Sequence, residues 1–112
     1  MKLKRRVSET ATIITVNAPR IDASVAICFK DAMRLETLDA PGRIVLDMTQ
    51  VRFIDSSGLG AIVAAMKQMK DDQVLDLAAL SPDVDKVFRL TRMDTVFNIH
   101  DDVANIASHK IG

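Results

Sequence analysis

Between residues 44 and 69 the apolar pattern of this chain changes period once, and that change constrains the fold more than any other feature. Ile44-Val45-Leu46 is an unbroken apolar run closed by Asp47-Met48-Thr49, the pattern of a strand covered on both faces. Leu59, Ile62, Val63, Met66 and Met69 then recur at helical spacing. The connection, Phe53-Ile54-Asp55-Ser56-Ser57-Gly58-Leu59-Gly60, places two hydroxyls and two glycines where strand turns into helix. Unpaired backbone N–H groups and the positive end of the helix dipole favour an anion there, so the junction can receive a phosphate.

Around this unit strands and helices alternate. Residues 4–8 and 11–17 read as two strands joined near Glu9-Thr10, rich in β-branched side chains, and Pro19 ends the second. Asp22 is expected to cap a helix over Ala23–Leu38, in which Val25, Ile27, Phe29, Met33 and Leu35 are apolar. Cys28 lies between Ile27 and Phe29 and is expected to be buried as a small hydrophobe. As the single cysteine it cannot form an internal disulfide. Ala40-Pro41-Gly42 breaks the helix, and Asp71-Asp72 precedes a strand over Val74–Leu80. Ser81 at the cap and Pro82 at the first position open a third helix to about Leu90. A short strand at Thr95–Ile99 and a helix at Asp101–Ser108 complete the chain. The pattern predicts an α/β fold, a mixed β-sheet of about four to five strands with helices packed on it, whose first hairpin is the antiparallel part. With 112 residues, a single domain over 1–112 is expected.

Charge narrows the function. The 15 basic and 15 acidic side chains cancel, so no global field draws the chain to nucleic acid, and a protein or small molecule is the expected partner. Lys2, Lys4, Arg5 and Arg6 form the only basic run, which reads as a solvated terminus. No apolar stretch approaches the ~20 residues of a membrane span and no signal-peptide core is visible, so a cytoplasmic protein without membrane association is expected.

Catalytic readings fare poorly. Ile54 stands two residues before Ser56 where a nucleophile elbow needs glycine, and Val63 stands where a dinucleotide fingerprint needs its third glycine. His100 and His109, with one cysteine and no paired spacing, give no metal site. Asp22 and Asp55 could serve as paired carboxylates for acid/base or magnesium chemistry, but each is better explained as ordering its own loop through backbone N–H groups. Gly58 and Gly60 either pack tightly on the sheet or leave room for a partner's backbone or a nucleotide phosphate beside Ser56. Local sequence alone makes Asp55-Ser56-Ser57-Gly58 a helix cap in which one serine accepts a hydrogen bond. A binding module without catalytic residues, cofactor or metal follows, rather than an enzyme.

Arg43 to Lys70 as a unit resembles the signature region of the STAS domain of bacterial anti-sigma factor antagonists. Arg20-Ile21-Asp22-Ala23 is similar to the family's loop before its first helix, and Leu80-Ser81-Pro82-Asp83-Val84 with Val87-Phe88 is similar to its third helix. Val96-Phe97-Asn98-Ile99-His100-Asp101-Asp102 resembles its last strand and the entry to its closing helix. The likeness runs from about residue 8 to about residue 108. Thr91-Arg92-Met93 departs from it, since members often carry Thr-Gly-Leu there. Without that glycine the turn is expected to take another conformation.

The resemblance implies a STAS fold, Ser56 as the serine phosphorylated by the partner, and Ser57 left as the cap. Its candidate partner-binding residues are Asp22, Asp55, Ser56, Ser57, Gly58 and Gly60. It implies that the unmodified chain, a monomer or weak dimer, binds an anti-sigma factor serine kinase. Phosphorylation would end the complex and a serine phosphatase restore it, with ATP and magnesium belonging to the partner. Two other readings are a non-switching STAS interaction subunit of a lipid-transport ABC complex, and a nucleotide- or small-molecule-binding sensor.

Overall fold

The computed structural model describes residues 1–40 and 42–104. In chain order these form β1 (Leu3–Val7), β2 (Thr12–Val16), β3 (Arg20–Ile21), α1 (Ala26–Thr37), β4 (Arg43–Asp47), β5 (Phe53–Ile54), α2 (Ser56–Lys67), β6 (Val74–Ala78), α3 (Pro82–Leu90), a 3-10 turn at Met93–Thr95 and β7 (Ile99–His100). Five strands build one mixed sheet in the order β1-β2-β4-β6-β7. β1 is antiparallel to β2 and the other neighbours are parallel. The predicted fold class is the observed one.

The unbroken apolar run now has its reason. Ile44, Val45 and Leu46 are each fully buried, and alternate side chains of a strand point to opposite faces. Ile44 and Leu46 join Ile14, Val16, Leu75 and Leu77 in a core closed by Phe29 and Met33 of α1, Ala61, Ile62 and Ala65 of α2, and Val84 and Phe88 of α3. Val45 lies on the other face with Ala11, Ile13 and Ala78, and Val103 packs against them. The closing helix is seen only at Val103–Ala104. Its predicted continuation to Ser108, together with His109, and the predicted break residue Pro41 lie outside the described residues.

Five expectations need correction. α1 begins at Ala26, not Ala23, because Asp22 Oδ1 accepts from both the N–H (3.1 Å) and the hydroxyl (2.6 Å) of Ser24 and so ties residues 22–24 into a turn that competes with helix. Val25, not Asp22, stands at the helix cap, without a side-chain bond. Cys28 is exposed: Phe29, Met33 and Thr37 set the buried stripe at intervals of one turn, and Cys28 falls outside it. The strand expected from Thr95 is only Ile99–His100, since Thr95 bonds locally through its N–H (3.2 Å) and hydroxyl (2.6 Å) to the Arg92 carbonyl. β6 likewise stops at Ala78, where Ala79 turns to a φ of 60°.

Arg92 itself adopts the left-handed conformation that favours glycine, with φ 63° and ψ 20°, so the expectation that the turn takes another conformation without glycine is wrong. A side chain there is strained. Arg92→Gly is therefore expected to gain about 0.5–1 kcal/mol in urea denaturation, the left-handed strain outweighing glycine's extra chain entropy. An unchanged midpoint would mean that contacts of the arginine side chain offset the strain.

Candidate functional site

The loops carrying Asp22 and Asp55 are brought together by a pairing of two very short strands. β3 runs parallel to β5, Arg20 opposite Phe53 and Ile21 opposite Ile54, as a second sheet of two strands. Pro19's carbonyl fixes the approach by accepting from the N–H groups of Arg52 (2.7 Å) and Phe53 (3.2 Å).

Asp55 then ends β5 in an extended conformation, φ −108° and ψ −176°, and caps α2. Its Oδ1 accepts from the Gly58 N–H at 2.8 Å and its carbonyl from the Leu59 N–H at 2.9 Å. Its Oδ2 accepts from the Ala23 N–H at 3.1 Å, across to the other loop. The expectation that Ser57 is the cap is therefore wrong. Ser56 and Ser57 are the first two helical residues, both exposed, and the cap position belongs to the residue before them, whose side-chain oxygen alone is placed to meet the third helical N–H. Asp55→Ala is expected to lose about 1–2 kcal/mol, and Ser57→Ala less than about 0.5 kcal/mol, in urea denaturation. The opposite ranking would return the cap to Ser57.

The two glycines divide between the two roles open to them. A Cβ on Gly58 would lie 1.9 Å from the Ile21 carbonyl oxygen, so Gly58 is the contact that lets α2 rest on β3. Nothing lies within 4 Å of a Cβ on Gly60. Gly60 instead lines a hollow of about 240 Å³ between α1 and α2, with Ile27, Lys30, Ser57 and Ala64 around it.

Asp22 and Asp55 do not act as a pair. Each carboxylate is occupied by its own donors, and the hydrogen bonds from Ser24, with the charge of Arg20 assisting, hold the Asp22 carboxyl below the usual carboxylate range. Among the described residues no group of three His, Cys, Asp or Glu could hold a metal ion. Two residues beside the motifs were missed. Arg20 lies 3.9 Å from Asp22 and 5.9 Å from the centre of the Phe53 ring, which is 50% exposed, so a cation and an aromatic flank the serine turn. Their adjacency to the motifs was visible in sequence, but their proximity to each other was not.

A mixed sheet covered on one face by three helices, with an exposed serine opening the second, is a small α/β architecture. The chain belongs to the STAS domain family, whose family model matches residues 2–106. The anti-sigma-B factor antagonist of Listeria monocytogenes is 31% identical over 83 residues, 73% of either chain. The crystal structure of an anti-sigma factor antagonist from Mycobacterium paratuberculosis superposes with a TM-score of 0.82 at 20% identity, over 94% of this chain and 89% of that one. The Bacillus cell fate determinant SpoIIAA in its phosphorylated form gives a TM-score of 0.60 at 18% identity, over 88% and 90% of the two chains. At these identities the solved structures establish the shared STAS fold. No helix among the described residues is long and apolar enough to cross a membrane.

Proposed function

We propose that residues 1–112 form one STAS domain that works in the cytoplasm as an anti-sigma factor antagonist, by binding rather than catalysis, with Ser56 as its switch. The observation that carries this reading is the division of labour at the start of α2. Asp55 takes the cap, and Ser56 stands exposed at the first helical position with no hydrogen bond to its hydroxyl among the described residues. A hydroxyl without a structural task, beside free N–H groups, is open to modification. The family and the similarity to the anti-sigma-B factor antagonist of Listeria monocytogenes support the antagonist role.

In this mechanism the unmodified chain binds an anti-sigma factor that is a serine kinase and keeps it from its sigma factor. The kinase transfers the γ-phosphoryl group of ATP to Ser56 Oγ, which gives up its proton as ADP leaves. The phosphate brings roughly −1.5 to −2 charges to a contact already carrying the Asp55 carboxylate, adding repulsion and desolvation where a neutral hydroxyl was accommodated. The complex separates, and hydrolysis by a serine phosphatase restores the binder. Asp22, Asp55, Ser56, Ser57 and Gly60 would face the partner, while Gly58 supports them from behind.

Calorimetric titration against the kinase tests the sign. Phosphorylated protein is expected to bind at least tenfold more weakly than unmodified protein, about 1.4 kcal/mol, and Ser56→Ala to bind without being released by ATP. Tighter binding of the phosphorylated form would make the phosphate a recognition element and reverse the mechanism.

A further inference from the structure

We infer that Asp55 is a relay: a phosphate on Ser56 takes the N-terminus of α2 from the Asp55 carboxylate, and the Asp22 loop, which that carboxylate holds, is thereby released. This rests on the reading of Ser56 as the modified residue and adds a second consequence of the modification, beyond repulsion at the phosphate itself.

The geometry starts from one side chain serving two elements. Asp55 Oδ1 holds the Gly58 N–H of α2 at 2.8 Å, while Oδ2 holds the Ala23 N–H at 3.1 Å. Residues 22–25 are tied to one another through Asp22 Oδ1 to Ser24 and the Asp22 carbonyl to the Val25 N–H, while Arg20 lies 3.9 Å from Asp22 and the Val25 carbonyl accepts from the Phe29 N–H at 2.8 Å. β3 ends at Ile21 and α1 begins at Ala26 without a side-chain cap, so the segment between them leans on Asp55. Among the hydrogen bonds of the described residues, Ala23 to Asp55 is the side-chain link from this loop to the serine turn.

A phosphate on Ser56 stands at the first turn of α2, among the N–H groups that the helix leaves unpaired there and one residue from the Asp55 carboxylate. Two anions at one helix end repel, and the phosphate carries the larger charge and three acceptor oxygens. Asp55 is only half-buried, so its carboxylate has water to turn into. When it turns, the phosphate serves the open end of α2, but the Ala23 N–H is left without an acceptor. The Asp22 loop then loses the position in which the unmodified protein presents it.

The test uses protein carrying phosphoserine genetically encoded at position 56, so that no kinase is needed, and follows backbone amide exchange by NMR. The Ala23 amide is expected to exchange at least tenfold faster than in unmodified protein, with Val45 and Leu77 in the central strands unchanged. Asp55→Asn separates the two bonds, because asparagine caps a helix as well as aspartate while its amide nitrogen cannot accept from Ala23. In that variant Ala23 is expected to exchange fast already, and phosphoserine to add nothing there. Equal Ala23 exchange in the two wild-type forms, or a further rise in Asp55→Asn on phosphorylation, would overturn the relay. A phosphorylated protein that loses the kinase while Ala23 stays protected would overturn the relay and leave the proposed function standing. One that releases Ala23 yet keeps its affinity would support the relay and remove the proposed function.

Discussion

Gly58→Ala is expected to destabilise the protein by about 3 kcal/mol or more and to remove partner binding with it, although glycine-to-alanine inside a helix ordinarily gains about 1 kcal/mol. The added Cβ would meet the Ile21 carbonyl oxygen at 1.9 Å and its carbon at 2.7 Å. These are backbone atoms held by the β3–β5 pairing, so no side chain can swing aside, and α2 must lift from the small sheet that assembles the site. Gly60→Ala, in open space two residues later, should behave in the ordinary way and raise stability by about 0.5–1 kcal/mol. Urea denaturation of the two variants decides the matter. If both shift the midpoint in the same direction, the close approach at Ile21 does not constrain the fold.

Arg43→Ala should also be costly, by about 1–3 kcal/mol, for a different reason, the arginine side chain being 40% exposed and the carboxylate it serves buried. Asp76 sits in β6 with its side chain 3% exposed, and its Oδ2 accepts from Arg43 Nε at 3.1 Å. His100 Nε2 lies 2.9 Å from the same oxygen and 3.1 Å from Arg43 Nη2, while Asn98 Nδ2 is 3.4 Å from Oδ1. A carboxylate only accepts and a guanidinium only donates, so one Nε2 can serve Asp76 with a proton or Arg43 with a lone pair, but not both. Truncating the arginine therefore leaves a buried charge on one imidazole and one long amide contact. Replacing the pair together, Arg43→Met with Asp76→Leu, is expected to recover most of the loss, because the expense lies in the unpaired charge and not in the missing attraction. A single-variant loss below about 1 kcal/mol would mean that water reaches Asp76 once the arginine is gone.

Asp76 also carries a signal legible in the sequence. A charged residue inside Val74-Leu75-Asp76-Leu77 demands a partner if that strand is covered on both sides, as it is. The partners come from β4 and from β7 and its approach, however, and only the parallel register that sets Val45 beside Asp76 and Ala78 beside His100 brings them near.

The serine turn shows the same boundary from the other side. That Phe53–Gly60 turns from strand to helix, with an anion-receptive first turn bearing Ser56, is written in local chemistry, because periodicity and cap preference act within a few residues. So is the alternation that makes the chain α/β, since an apolar run such as Ile44-Val45-Leu46 has nowhere to go except between two layers. Three things were decided only by the tertiary structure: that Asp55 and not Ser57 caps α2, that Gly58 is demanded by packing while Gly60 is free, and that the Asp22 loop hangs on Asp55. The last two depend on β3 meeting β5. Two-residue strands are too short to show a period, and their pairing is selected by what the folded chain packs around them rather than by preferences of their own residues.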